Sequence, residues 1–184
     1  MDNETLLEIR DKSYLGAKNK GFFMNDCSDL DYITAIHEEL SEAFRAYNKS
    51  LGWITKEGKP DGIYYELTDA VIRLFSYCGY KGYTLKQYNI ETDRPYDKED
   101  LCDVILRSHL NLSQYYEILQ KNIEDDYQEH LVNNCITNLL SRFIARIETF
   151  IFDSSEEEFT LCDLIENKLI YNTTREIKHG NNKV

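Results

Sequence analysis

Two stretches decide how this chain is read: Ile36-His37-Glu38-Glu39-Leu40-Ser41-Glu42-Ala43 and Glu66-Leu67-Thr68-Asp69-Ala70-Val71-Ile72-Arg73. Both sit in apolar patterns of helical period. Ile33, Ile36, Leu40, Ala43, Phe44 and Tyr47 frame the first, and Ile63, Leu67, Ala70, Val71, Leu74 and Cys78 the second. Such spacings bury one side of a helix. Side chains three residues apart on a helix project about 60° from one another. Glu39 with Glu42, and Glu66 with Asp69, therefore each share a helix face. Glu39 falls nearest the buried stripe and Glu38 farthest from it. A polar loop, Ser50–Asp61, punctuated by Gly52, Gly58 and Pro60, lets the two segments return as an antiparallel hairpin. Carboxylates gathered at such an interface repel and raise one another's pKa. A divalent cation with oxygen ligands, typically Mg²⁺, relieves that repulsion. Zinc is disfavoured, because His37 projects away from Glu39 and Glu42 and no other His is nearby. Solvated helix faces are the competing reading; they explain either cluster alone better than both on consecutive helices.

The remainder reads as helical. Of 184 residues only two are Pro and eight Gly, while 42% are hydrophobic. That composition is poor in helix breakers and supplies a real core. The formal charge of −12, from 33 acidic and 21 basic residues, opposes a dedicated nucleic-acid binder, which needs a basic face. It leaves room for a mononucleotide substrate. The five cysteines are scattered without a C-x-x-C pair, as expected of reduced thiols in a cytoplasmic protein. No signal-like segment follows Met1, and no apolar run reaches membrane-spanning length, so a soluble protein with no membrane partner is expected.

The pattern predicts a first helix over Thr5–Lys18 and a second from Ser28, where Ser28 and Asp31 form a capping box. A third covers Gly62–Cys78 and is followed by a tyrosine-rich connection, Gly79–Tyr96. A fourth, capped by Asp97, covers Lys98–Lys121, and a fifth Asp125–Phe152. Ser155 with Glu158 reads as a second capping box, opening a last helix that runs to Arg175. Phe22, Phe23 and Met24 are expected to pack their loop onto the bundle. Arg73 is expected to pair with Asp69 one turn back. Trp53 suits either a base or a loop anchor.

The order E-E-x-x-E on one helix (Glu38, Glu39, Glu42) and E-x-x-D on the next (Glu66, Asp69) resembles the signature of the all-α nucleotide pyrophosphohydrolases, the MazG-like superfamily, which includes the dimeric dUTPases. Gly58-Lys59-Pro60-Asp61-Gly62-Ile63 ahead of the second motif looks similar too. So do Lys168, Tyr171-Asn172, Arg175 and His179-Gly180, which resemble a C-terminal K…yN…R…hG pattern. The similarity covers roughly residues 5–79 and 158–184; residues 80–157 read as a helical elaboration of a single domain, 1–184. The resemblance implies a helical bundle with its metal site between two antiparallel helices. It also implies a homodimer that uses Mg²⁺, or Mn²⁺ in its place, to convert a nucleoside triphosphate to monophosphate and pyrophosphate. Carried over by position, Glu39, Glu42, Glu66 and Asp69 hold metal, Glu38 and Glu39 serve the attacking water, and Lys168, Asn172 and Arg175 contact phosphate or sugar. A helix C-terminal turn, which favours cations, is the competing account of the last three, and the binding reading stands slightly ahead of it. One departure is Ser76, where relatives often carry Asp or Asn, seven residues after the Asp of E-x-x-D. Two alternatives stand beside this reading: a dUTPase-like pyrimidine deoxynucleotide hydrolase, and a catalytically degraded bundle that binds nucleotide or a partner.

Overall fold

The computed structural model describes residues 1–23, 27–54, 60–88, 100–120, 126–156 and 158–174, the side chains of 126–131 excepted. Among these the chain forms α-helices and no β-strand: α1 Asn3–Asn19, α2 Asp29–Asn48, α3 Ile63–Lys81, α4 Leu101–Leu119, α5 Asp126–Ser154 and α6 Leu161–Thr174. The all-α expectation holds. Side chains fix several of the helix starts. Asp2 accepts from the Thr5 N–H, and Ser28 and Asp31 form the predicted reciprocal box at the head of α2. No described helix is long and apolar enough to cross a membrane.

Two helix starts differ from expectation. Helix α4 is capped by Asp100, which accepts from the Asp103 N–H at 2.9 Å; the predicted cap, Asp97, lies outside the described residues. Helix α6 starts not after Ser155 but after Thr160. There the Thr160 and Asp163 side chains each accept the other's backbone N–H, at 3.2 and 3.0 Å. Ser155 instead closes the end of α5, donating to the Phe152 carbonyl and accepting from the Phe159 N–H. Glu156 beside it takes a left-handed φ of 53°. Both stretches satisfy the capping pattern in sequence, but the chain must reverse between α5 and α6, and the first stretch is used for that turn.

Helix α3 is the hub, packing on α1, α2, α5 and α6. Leu67, Ala70, Val71, Leu74, Phe75 and Cys78 have no exposed surface, as in a helix enclosed by others. Helix α2 lies antiparallel to it. Asp29 at the start of α2 meets Tyr77 and Lys81 near the end of α3, while Glu39 further along meets Arg73. The buried stripe of α2 departs from prediction at its end. Phe44 and Tyr47 are 41% and 46% exposed, and the stripe passes instead from Ala43 to Ala46. Alanine there lets two backbones approach where an aromatic ring would hold them apart. Phe23 behaves as predicted, stacking on Tyr32 and on Tyr80 with both centroid distances 4.9 Å; Met24 lies outside the described residues. Val104 and Leu112 of α4, and Leu140, Phe143 and Ile147 of α5, join the same core as α2 and α3.

The entry to α3 depends on Gly62. Its φ is +113°, and a Cβ there would stand 2.7 Å from the Trp53 carbonyl oxygen and 2.8 Å from that of Gly52. Those two carbonyls accept the N–H groups of Tyr64 and Ile63, which a helix cannot satisfy internally in its first turn. Trp53 itself stacks on Tyr64 at 5.1 Å and leans on Phe150, which makes it a loop anchor. Gly62→Ala should cost about 2 kcal/mol or more, lowering Tm by roughly 4–8 °C. Thermal unfolding followed by circular dichroism checks this; an unchanged Tm contradicts the backbone argument.

Candidate metal centre

The antiparallel pairing of α2 and α3 brings the two acidic motifs together. Glu39, Glu42 and Glu66 each offer a carboxylate oxygen, and these oxygens lie within 4.8 Å of one another. Glu39 is buried, and Glu42 and Glu66 are half-buried. Glu38 is exposed and stands outside this group. Asp69 also stands outside it; its carboxylate binds Lys168 Nζ at 2.7 Å. Lys168 reaches the site from α6, is 4% exposed, donates to the Pro60 carbonyl at 3.2 Å and lies over the Tyr65 ring. The fold thus joins the C-terminal block to the two acidic motifs through one enclosed ion pair.

Arg73 departs from expectation. Its guanidinium does not fold back along α3 towards Asp69 but crosses to α2, where Nε donates to Glu39 Oε1 at 2.5 Å. The reason is geometric. Glu39 is the carboxylate that the α2 stripe carries deepest into the interface, so it presents the nearest uncompensated charge. Sequence spacing reports only partners on the same helix and misses this one. The same limit hides Tyr65 and the Pro60 carbonyl, which both act on Lys168 across tertiary contacts.

Ser76 is buried and donates to the Ile72 carbonyl at 2.8 Å. Its hydroxyl hydrogen is therefore spent on its own helix. Asn172 sits in the last turn of α6, where its backbone carbonyl accepts from Lys20 Nζ. Arg175 lies outside the described residues. His37 turns away from the carboxylates, as expected, and meets His109 of α4 with Nδ1 atoms 2.6 Å apart and rings nearly parallel.

Electrostatics follow from the placement. Burial pushes the Glu66 carboxyl up to about 7, helped by the negative charge of Asp69 and opposed by Lys168. Glu39 is also raised, again first by burial; Arg73 opposes this and Asp69 adds to it. An all-oxygen donor set of this kind suits a hard cation. Oxygens on opposite sides of a Mg²⁺ lie about 4.2 Å apart, twice its usual bond length, so the observed spread needs little adjustment to fit one.

No protein-family model, no curated protein and no solved structure matches this chain.

The raised Glu66 pKa makes stability depend on pH. Folding raises the pKa above its ordinary value of 4.5, so the folded state holds the Glu66 proton more tightly than the unfolded chain. That contribution is complete below the unfolded pKa and is lost as pH rises through about 7. In chelator-treated protein, wild-type Tm should therefore fall more steeply across this window than that of Glu66→Gln. Equal slopes in the two proteins would show that Glu66 is not held protonated by its surroundings.

Proposed function

We propose that the chain is a Mg²⁺-dependent nucleoside triphosphate pyrophosphohydrolase, releasing pyrophosphate and a nucleoside monophosphate. The observation that carries the reading is the convergence of Glu39, Glu42 and Glu66 from two helices, with the Lys168–Asp69 pair beside them. Glu39, Glu42 and Glu66 would hold the ion, with Asp69 joining once Lys168 is drawn towards phosphate. A divalent ion bound there supplies Lewis acidity to phosphoryl oxygens and acidifies water.

The protein's own groups do the rest. Lys168 carries three donors; Asp69 and the Pro60 carbonyl take two, and turning the ammonium from Asp69 would present donors to a phosphate oxygen. The Lys168 stem is buried, so only the ammonium has to turn as the charge of the leaving pyrophosphate develops. Glu38, exposed and next to Glu39 in the chain, would take the proton of the attacking water. The likeness of the acidic motifs and of the C-terminal Lys168 and Asn172 to the MazG-like superfamily supports the reading. A homodimer and a cytoplasmic location belong to the same proposal.

A second reading rests on a specific observation. Two of the four carboxylates already carry enclosed cationic partners, Arg73 on Glu39 and Lys168 on Asp69. A site so balanced also suits a bundle that binds nucleotide without turning it over. Pyrophosphate release from a panel of ribo- and deoxyribonucleoside triphosphates with Mg²⁺ separates the two. The wild type should turn over at least one nucleotide, and Glu42→Gln and Asp69→Asn should each lose activity by about 100-fold or more. A steep preference for dUTP selects the dUTPase-like form of the same chemistry. Nucleotide binding with no turnover on the whole panel selects the second reading.

A further inference from the structure

The carboxylates of the cluster do not stand alone, because two cations of the same fold are held against them. Arg73, whose side chain is 34% exposed, holds Glu39, whose side chain is 10% exposed, at 2.5 Å. Lys168, 5% exposed, holds Asp69, 22% exposed, at 2.7 Å. A third cation, Arg45, touches Glu42 at 3.2 Å, but that pair is exposed on both sides and is weakened by solvent. A bound cation would require all four carboxylates in their ionised form; among the described residues the two partly enclosed cations set against Glu39, Glu42, Glu66 and Asp69 would then leave two negative charges. One divalent ion balances them.

We infer that Arg73 is a resident counter-cation that competes with the divalent ion for Glu39, and that Arg73 and Lys168 together restrict the site to a single ion. This rests on the proposed metal-dependent reading and names what sets its metal affinity. Arg73 is a positioning residue: it touches neither substrate nor the reacting atoms, and acts through Glu39. Charge on Arg73 works against a cation in two ways. It occupies Glu39 Oε1, on the most buried donor of the three, and it repels any positive ion placed within a few ångströms. Removing it frees the oxygen and lifts the repulsion together.

The test uses Mn²⁺ as the probe, with bound ions counted by the loss of the free-ion electron paramagnetic resonance signal. Wild type should bind one Mn²⁺ per chain. Arg73→Gln should bind it about tenfold more tightly or better, with its fold confirmed by circular dichroism. Arg73→Lys, which keeps the charge, and Arg45→Gln, at the exposed pair, should both stay near wild type; the first separates charge from side-chain packing. Two ions in the wild type, or an Arg73→Gln affinity no higher than wild type, would overturn the inference and leave the pyrophosphohydrolase reading standing. No Mn²⁺ on either wild type or Arg73→Gln would remove the metal site itself, and with it both proposals.

Discussion

A helix enclosed by its neighbours has to carry charge, and the rest of the structure answers to that constraint. Helix α3 packs against four others, yet Glu66, Asp69 and Arg73 lie along it. Enclosed charges are tolerated only when paired or bonded. Two of the three find partners on other helices, Arg73 on α2 and Asp69 on α6. Glu66 meets the same constraint by another route: its burial favours the protonated form up to about pH 7. The pairing does more than neutralise. It ties α2 to α3 in one register and draws α6 onto the same end of the bundle. Removing one member of such a partly enclosed pair leaves the other's charge without its partner, which favours the arrangement as it stands.

How much of this is legible in the sequence depends on whether the deciding partner is local. Apolar period places α2 and α3, and the Ser28 box places the start of α2, because both signals lie within one turn of the residues they govern. The convergence of Glu39, Glu42 and Glu66 is also legible, since a hairpin of two consecutive helices leaves few ways to fold back. The partner of Arg73 is not. On α3 alone, Asp69 is its best neighbour; only the packed hairpin brings Glu39 within reach. The start of α6 is hidden for a related reason. Ser155 and Thr160 both carry the capping pattern, and the choice between them is made by where α5 must end. The exposed Phe44 and Tyr47 show the same limit: a stripe of period 3.6 passes as easily through Ala46, and the closeness of α2 to its neighbours decides.

Polar contacts at two further points brace α2, and they bear on what the acidic site can do. At its head, Asp29 accepts from Tyr77 at 2.7 Å and pairs with Lys81; Tyr77 also shares a hydrogen bond with Tyr115 of α4. Midway, His37 meets His109 on α4. Burial lowers the pKa of both histidines, which favours their neutral form. Together with the Arg73–Glu39 bond, these contacts give α2 polar ties to both α3 and α4 along the stretch that leads into the carboxylates. A ligand that entered the cluster would therefore meet donors whose backbones are already fixed. The adjustment left is in side chains: Arg73 leaving Glu39, Lys168 turning from Asp69. Preorganised groups contribute most where charge develops and water is excluded. The bracing that satisfies the buried charges of α3 is thus the same bracing that would make the site effective.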